Sequence, residues 1–320
     1  MVLHDFGPPS VLVAEDVCDP VPGPGQVAID VDVVNLTFVE TQVRAGRPPH
    51  PSMLPPLPAI LGNGVGGVVA AVGHGVDPGL VGRRVVSSLG GTGGYAERAV
   101  ADSGGLIEIQ DQLKTQEAVA LLADGRTAMM LARAAAIRPG ETVLVEAAAG
   151  GVGSLLVQLA HNAGAFVVGT ARGPHKLRLA RELGASVVVD YTHPRWEDRL
   201  RACLGGVDVV FDGVGGEIGH AAFELLRRGG RFCAFGMASG AFVEVPDEVV
   251  QAREVTLIGG SRPTAAALRA LAQAALGEAV AGRLRPLVGQ TFPLECAADA
   301  HAAMERRATV GKTLLLAHAA

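Results

Sequence analysis

The chain has 320 residues, of which 49% are hydrophobic and 18% are charged, so it can form two domains with sizeable cores. Its net charge of −5 argues against a nucleic-acid-binding protein, because such proteins usually carry a basic face. No apolar run is long enough to span a bilayer, and the acid-rich start lacks the features of a signal peptide. We therefore expect a cytoplasmic protein that binds neither nucleic acids nor membranes.

The cysteines lie far apart in the sequence and form no Cys-x-x-Cys pair; they are Cys18, Cys203, Cys233 and Cys296. This spacing predicts neither a recognisable zinc cluster nor a disulfide framework. We expect all four to be buried thiols that pack as small hydrophobic side chains.

Short strands separated by turns are predicted for the first part of the chain. Residues 27–33 have the pattern of a half-buried strand and follow a turn-rich segment at residues 20–25. Residues 64–73 form a second strand, whose glycines indicate close packing of backbones. Irregular β structure is therefore predicted up to about residue 110.

Strand and helix patterns alternate in the second part of the chain. A helix at residues 117–137 ends at Pro139-Gly140. The strands that follow are predicted at residues 142–147, 166–170, 187–190, 207–212, 231–235 and 255–258, and the helices at 154–162, 176–183, 196–203 and 218–226. Such alternation with apolar strands predicts an α/β fold with a doubly wound parallel sheet. An alanine-rich helix and a strand at residues 313–316 are expected to return to the first domain.

A glycine-rich turn follows the first strand of this alternation. The segment Ala148-Ala149-Gly150-Gly151-Val152-Gly153 leads directly into a helix, whose first amides and dipole favour a pyrophosphate. Gly150 lets the backbone approach the phosphates, and Gly153 lets the helix pack closely on the strand. Ala148 stands where the G-x-G-x-x-G motif has its first glycine, but the βαβ context predicts a dinucleotide site.

The end of the second strand distinguishes NADPH from NADH. An NAD site usually has an acid about 20 residues past the first position of the motif, where it binds the ribose 2′-hydroxyl. Residues 170–176 contain no acid, whereas Arg172 and Lys176 can pair with a 2′-phosphate. We predict NADPH as the cofactor, with a solvated helix start as the alternative for these two cations.

Short motifs occur in a fixed order along the whole chain: Gly7-Pro8-Pro9, residues 21–27, 93–97, 139–145 and 147–153, Asp212–Gly216, Phe235–Gly240 and Gly311–Leu314. In this order and at these spacings, they resemble the zinc-independent quinone oxidoreductase branch of the medium-chain dehydrogenase/reductase superfamily. The resemblance implies a GroES-like, mainly β domain at residues 1–116, completed by about 261–320, and a Rossmann domain at 117–260. It also implies hydride transfer from NADPH to a quinone or an activated C=C bond, in a cleft between the domains.

Cofactor-binding residues are implied by the same resemblance. Thr127 would lie beside the nicotinamide, and Tyr191 would join Arg172 and Lys176 around the adenosine ribose and its phosphate. Residues near the nicotinamide ribose and carboxamide would be Phe235, Gly236, Met237 and Ser261. The other cofactor-binding candidates are Gly150, Gly151, Val152, Gly153, Thr170, Gly213 and Lys312. Members of the branch are commonly homodimers joined through the last Rossmann strand, here residues 255–259.

No metal site is predicted. Zinc-containing members of the superfamily carry Gly-His-Glu before the glycine-rich strand, whereas this chain has Gly62-Asn63-Gly64. No Cys or His lies near Asn35 to act as a partner ligand. Because a catalytic zinc needs at least three converging side chains, we expect a zinc-free reaction.

The substrate side of the sequence departs from the family pattern. Gln42 stands where many members have Tyr, Gly64 where Glu is usual, and Arg126 where an apolar residue is usual. For Arg126, both a substrate contact and a salt bridge stay open. A tyrosine proton donor is therefore not expected at residue 42.

The developing oxyanion of a hydride acceptor needs preorganised hydrogen-bond donors. The candidate donors are Asn35, Gln42 and Asn63, and Thr127 completes the set of candidate catalytic residues. Because neutral amides cannot act as general acids, we expect the final proton to come from water or a cofactor hydroxyl. Turn or backbone hydrogen bonding is the alternative role for the three amides.

Two other functions are compatible with the sequence. One is a trans-acting reductase of 2-enoyl thioesters, which would need a surface for a carrier-bound chain. The other is an NADPH-binding protein without turnover, acting as a sensor or as a partner of another protein.

Overall fold

The computed structural model describes residues 1–259 and 263–318. Of these, the first compact unit takes the residues within Met1–Arg126, Ala265–Val280 and Pro286–Ala320, and the second takes those within Thr127–Thr264 and Ala281–Arg285. One helix, Thr115–Ala135, contributes to both units. The domain division at residues 116 and 260 stays a prediction beside these boundaries.

The strands of the described residues are β1 (Val2–Leu3), β2 (Leu12–Val13), β3 (Gln26–Leu36), β4 (Gly64–Val72), β5 (Arg84–Ser88), β6 (Arg98–Asp102), β7 (Ile107–Glu108), β8 (Thr142–Val145), β9 (Phe166–Ala171), β10 (Val187–Asp190), β11 (Val207–Asp212), β12 (Leu226–Ala234), β13 (Thr256–Ile258), β14 (Val288–Pro293) and β15 (Lys312–Leu316). The α-helices are α1 (Phe38–Arg44), α2 (Thr115–Ala135), α3 (Gly151–Asn162), α4 (Pro174–Glu182), α5 (Trp196–Leu204), α6 (Gly216–Glu224), α7 (Asp247–Ala252), α8 (Ala265–Val280) and α9 (Ala297–Glu305).

A mainly antiparallel sheet forms the centre of the first unit. Its strand order is β14-β15-β3-β4-β5-β7, and β6 also pairs with β3. As expected, the late strand β15 returns to this sheet, where Leu314 pairs with Asn35. Apolar side chains of the sheet and of α9 are buried together, including Ile29, Val34 and Ala300.

Six parallel strands form the sheet of the second unit, as predicted from the βαβ alternation. Their order is β10-β9-β8-β11-β12-β13, which is the 3-2-1-4-5-6 order of a Rossmann fold. The direction of strand succession reverses between β8 and β11. In open α/β sheets, ligands bind beyond the carboxyl ends of the strands at this switch point.

Two local predictions were wrong in this region. The helix predicted at residues 218–226 ends at Glu224, because Leu226 pairs with Val207 and begins β12. Gly229 and Gly230 therefore lie within a strand at a register shift, and they do not close a helix.

A helix that was not predicted follows β3. Thr37 and Glu40 form a capping box at the beginning of α1, with the Thr37 backbone N–H donating to Glu40 Oε2 at 2.6 Å. This Thr-x-x-Glu spacing is a sequence signal for a helix start, so α1 could have been predicted from the sequence.

The expectation of four buried cysteines was wrong. Cys18 and Cys203 are exposed, Cys296 is half-buried, and Cys233 in β12 is buried. Burial raises the pKa of the Cys233 thiol to about 12.

No helix among the described residues is long and apolar enough to cross a membrane.

Candidate functional site

The glycine-rich loop joins β8 to α3 through a tight corner. Ala147 adopts a left-handed conformation with φ of 46°, and Gly150 caps the helix that begins at Gly151. A Cβ on Gly153 would lie 2.2 Å from the carbonyl oxygen of Ala147, so α3 can pack this closely only against a glycine. The predicted role of Gly153 in helix–strand packing therefore has a direct geometric basis.

An anion can be held by the first amides of α3. The opening N–H groups of a helix have no intrahelical acceptor, and the helix dipole adds positive potential there. Gly151 and Val152 are half-buried in this first turn, so their backbone groups are within reach of a ligand. The loop has the geometry of a pyrophosphate cradle.

Ala148 departs from the glycine motif, and its neighbourhood accounts for the departure. It is fully buried, and its N–H donates to the carbonyl of Thr170 at 3.0 Å. Its Cβ lies 3.2 Å from the place that a Cβ on Gly169 would take. A glycine in β9 therefore leaves the space that the methyl group of Ala148 needs.

Two cations follow the carboxyl end of β9. Arg172 is exposed and Lys176 is half-buried in the first turn of α4, while Thr170 before them is fully buried with an unpartnered Oγ1. Gly173, with φ of 83°, turns the chain between them. These residues surround the position at which a Rossmann site meets the adenosine ribose.

Asp190 holds this turn in place, and sequence reasoning missed it. Its carboxylate accepts hydrogen bonds from the Gly173 N–H at 2.8 Å and from the Thr192 N–H at 2.9 Å. Burial acts to raise the pKa of Asp190, but the hydrogen bonds from Thr192 and Gly173 outweigh it and lower the pKa. The acid therefore stays ionised and anchors the loop that carries Arg172.

Two buried carboxyl groups meet at the switch point of the sheet. Glu146 follows β8, Asp212 ends β11, and both are fully buried. The Val214 N–H lies 3.3 Å from Glu146 Oε2 and 3.0 Å from Asp212 Oδ1. Burial, and then the neighbouring Asp212, raise the pKa of Glu146 well above its ordinary value.

The loops after β11 and β12 pack against each other at the same edge. A Cβ on Gly213 would lie 2.8 Å from Phe235 Cζ, and one on Gly236 would lie 2.4 Å from the Gly213 carbonyl oxygen. Phe235 and Met237 are half-buried beside this contact. Tyr191 packs against the apolar core of the second unit, and Ser261 lies outside the described residues.

The amide candidates of the first unit have different surroundings. Gln42 donates to its neighbour Thr41, whereas Asn35 and Asn63 each have a buried Oδ1 without a hydrogen-bond partner. The backbone N–H of Asn63 donates to Glu40 Oε1 at 2.8 Å. Burial raises the pKa of Glu40, although the hydrogen bonds from Thr37 and Asn63 act to lower it.

Lys312 is almost fully buried, and its ammonium contacts Asp124 Oδ1 at 3.1 Å. Its ammonium group thus forms an ion pair within the first unit, and its assignment to the cofactor stays a prediction.

Thr127, the first residue of the second unit, is half-buried. Throughout residues 1–259 and 263–318, no three His, Cys, Asp or Glu side chains come together as a metal site would require.

The candidates of the second unit converge at one edge of its sheet. The glycine loop, Thr170 to Lys176, Gly213 and Phe235 to Met237 all follow the carboxyl ends of parallel strands. In the first unit, Asn35 is paired in register with Gly64, the neighbour of Asn63. The individual catalytic and cofactor roles stay predictions.

Comparison with known proteins identifies close relatives along the whole chain. Residues 23–111 match the alcohol dehydrogenase GroES-like domain family, and residues 151–276 match the zinc-binding dehydrogenase family. A 2-haloacrylate reductase from Burkholderia sp. is 34% identical over 99% of this chain and 98% of its own length. A quinone oxidoreductase from Pseudomonas aeruginosa is 33% identical over 97% of each chain. The crystal structure of Escherichia coli quinone oxidoreductase complexed with NADPH superposes with a TM-score of 0.90, at 29% identity and 98% coverage of both chains.

Proposed function

Because this chain belongs to the quinone oxidoreductase branch of the medium-chain dehydrogenase/reductase superfamily, we propose that it transfers a hydride from NADPH to a quinone or an activated C=C bond. The predicted family and the predicted fold, a Rossmann sheet with a GroES-like domain, are confirmed. The chain is accordingly an oxidoreductase of this kind, and the reading as a sensor without turnover loses its support. The acceptor itself is the open part of the proposal.

One observation carries this proposal. The helix amides after Gly150 and the turn that carries Arg172 and Lys176 lie at the same edge of the Rossmann sheet. The amides suit a pyrophosphate, and the two cations suit a 2′-phosphate, so the residues present fit NADPH. When bound, NADPH supplies the hydride, and the protein supplies position and electrostatics.

Residues of the first unit would stabilise the acceptor. Asn35 and Asn63 carry amide groups whose buried oxygens lack hydrogen-bond partners, which supports them as candidate donors. The assignment of amide nitrogen and oxygen can be exchanged by a flip, which would direct the NH₂ group to an oxyanion. Since an amide does not release a proton, water or a cofactor hydroxyl would complete the reduction.

Metal-free chemistry is part of the proposal. Glu40, a fully buried acid near Asn63, accepts backbone hydrogen bonds on both carboxylate oxygens. This arrangement supports a structural role for Glu40 at the beginning of α1. Polarisation of the acceptor would then come from hydrogen-bond donors in place of a Lewis acid.

A homodimer joined at the Rossmann sheet is also part of the proposal. β13 is the last strand in the sheet order, and Leu257 in its centre is 50% exposed. An exposed edge strand with an apolar side chain can pair with the same strand of a second copy. The predicted interface at residues 255–259 has this strand at its centre.

The acceptor is tested by following the loss of NADPH absorbance with a panel of ortho-quinones, alkenals and crotonyl thioesters. Turnover with quinones or alkenals supports the proposal. Turnover with thioesters alone would favour the trans-acting enoyl-thioester reductase. Binding of NADPH without oxidation by any acceptor would contradict the proposal.

A further inference from the structure

A row of polar and small residues crosses three strands of the first unit. Gly64 in β4 pairs in register with Asn35 in β3 on one side and with Ser88 in β5 on the other. Residues directly opposite each other in antiparallel strands present their side chains on the same face. Asn35 and Ser88 therefore flank a position where Gly64 has no side chain.

Helix α2 covers this row with two residues spaced one helical turn apart. Leu122 Cδ2 lies 3.0 Å from the place that a Cβ on Gly64 would take. Arg126 follows four positions later on the same helix face, and its Nη1 lies 3.4 Å from Ser88 Oγ. The guanidinium of Arg126 is thereby directed at the row that contains Asn35.

Arg126 forms no ion pair within the described part of the chain. Its long hydrogen bond is to the neutral Ser88 hydroxyl. The nearby acid Asp124 accepts from the buried ammonium of Lys312 at 3.1 Å. Burial lowers the pKa of Arg126 and Asp124 acts to raise it, but an arginine stays protonated in proteins.

A half-buried guanidinium without a hydrogen bond to a carboxylate leaves most of its five donors unused, and such groups are usually paired in folded proteins. The partner that fits them best is a carboxylate, which accepts two parallel hydrogen bonds from the planar fork. The neighbouring Asn35 is 2% exposed and also lacks a partner for Oδ1. Arg126 therefore supplies the charge of this row, and Asn35 supplies a neutral amide on the other side of Gly64.

We propose that Arg126 binds a carboxylate of the hydride acceptor, so that the preferred acceptor is an α,β-unsaturated carbonyl compound that carries a carboxylate. This inference rests on the proposed function and names the substrate class for it. Arg126 binds the carboxylate before and after the reduction, and the carboxylate is not consumed.

The electron balance of the step is that of a conjugate reduction. A hydride from NADPH forms the new C–H bond at the β-carbon, and NADP⁺ remains. The π electrons of the C=C bond move to the carbonyl oxygen, which becomes an enolate oxyanion. Water then protonates the α-carbon as the carbonyl re-forms.

The experiment compares β-acetylacrylate with its methyl ester, which keeps the carbon skeleton and lacks the charge. Because an ester withdraws electrons more strongly than a carboxylate, the ester is the more reactive acceptor, and a preference for the acid must come from the enzyme. For the unaltered enzyme, we expect kcat/KM to be higher for the acid than for the ester. In Arg126→Gln, kcat/KM for the acid should fall by at least about tenfold, as expected for the loss of a charge-assisted hydrogen bond, while the ester changes by less than about twofold. Arg126→Lys keeps the charge but loses the planar fork of donors. Its kcat/KM for the acid should lie between the values for the unaltered enzyme and for Arg126→Gln.

Arg133→Gln is the matched control, because Arg133 is an exposed arginine of the same helix. It should leave the ratio of acid to ester unchanged. Equal losses for acid and ester in Arg126→Gln, or no preference for the acid, would overturn the inference. If the enzyme reduces quinones and the ester but does not prefer the acid, the inference about Arg126 is overturned and the proposed function stands. If it reduces no acceptor, both the inference and the proposed function are overturned. If Arg126→Gln lowers Tm, the Arg126→Lys variant serves instead. A lower ratio of kcat/KM for the acid to kcat/KM for the ester in Arg126→Lys would support the inference, and an unchanged ratio would overturn it.

Discussion

Glu146 and Asp212 share one backbone donor, the N–H of Val214, and each has a second carboxyl oxygen without a partner, Glu146 Oε1 and Asp212 Oδ2. Two buried carboxylates side by side cannot both stay ionised, so one of the two groups holds a proton. Asp212 also accepts a hydrogen bond from the Gly215 N–H at 2.7 Å. Burial, and then the neighbouring Asp212, raise the pKa of Glu146 well above its ordinary value, so Glu146 is the group that carries the proton.

Replacement of Glu146 by Gln should remove a pH dependence of stability. The folded state raises the pKa of Glu146 through burial and the adjacent Asp212, so it holds the proton more tightly than the unfolded state does. This stabilisation is complete below the ordinary pKa of Glu and is lost as the pH rises toward the folded pKa. Urea unfolding should show Glu146→Gln gaining stability over the unaltered chain as the pH increases from about 5.

The exposed Glu217→Gln, in the same unit, serves as the control and should show no such trend. Glu146→Ala removes the protonated carboxyl group beside the buried Asp212, and we expect it to cost about 1–3 kcal/mol. A stability difference between Glu146→Gln and the unaltered chain that stays constant with pH would refute the assignment of the proton to Glu146.

Gly153 should not tolerate a methyl group, whereas Gly277 should. In Gly153→Ala, the new Cβ would lie 2.2 Å from the Ala147 carbonyl oxygen, so the loop must shift. We expect a loss of about 1–3 kcal/mol in stability, as for overpacked sites, together with weaker NADPH binding. Gly277 in α8 is exposed with open space around it, so Gly277→Ala should stabilise by about 0.5–1 kcal/mol through helix propensity.

Thermal melts and fluorescence titration with NADPH measure both effects. If Gly153→Ala bound NADPH as tightly as Gly277→Ala does, the close approach at Ala147 would have no role in the cofactor site.

The Lys312–Asp124 pair should contribute to stability as a buried ion pair. Asp124→Asn leaves the ammonium of Lys312 nearly fully buried without a counter-charge, which costs about 3–5 kcal/mol in comparable sites. Adding Lys312→Met should recover much of this loss, and urea unfolding of the two single variants and the double variant gives the coupling energy. Additive losses would show that the two groups act independently.

NADPH titration of Lys312→Met tests the other prediction for this residue. Weaker binding at an unchanged fold would support the cofactor contact that the family resemblance implies. Unchanged NADPH binding would contradict a contact between Lys312 and the cofactor and would leave the ion pair with Asp124 as the role of Lys312.

The sequence was sufficient for the parts of the structure that are encoded locally. The alternation of apolar strands with glycine-terminated helices predicted all six strands of the parallel sheet, and Ala148–Gly153 marked the corner before α3. The error at Leu226 arose because pairing with Val207 overrode a helical pattern. Cys203 was misjudged because periodicity places α5 in the fold but does not by itself tell which of its side chains are exposed.

Pairs that depend on sheet order could not be predicted in the same way. Glu146 and Asp212 meet only because β8 lies beside β11, and Arg126 meets Ser88 only because α2 covers β5. Neither contact leaves a periodic signal along the chain. The candidate substrate residues are of this kind, which is why the sequence favoured a cofactor more clearly than an acceptor.

The ratio of Kd values for NADH and NADPH, measured for the unaltered chain and for the double variant Arg172→Ala/Lys176→Ala, tests the NADPH assignment most directly. The two side chains follow β9 on a turn that Asp190 anchors, so their loss should remove the partners of the 2′-phosphate without moving the loop. We predict NADPH binding to weaken by at least about tenfold, as for lost charge-assisted hydrogen bonds, with NADH binding nearly unchanged. Equal weakening for both cofactors, or tighter binding of NADH by the unaltered chain, would contradict the assignment of NADPH to this site.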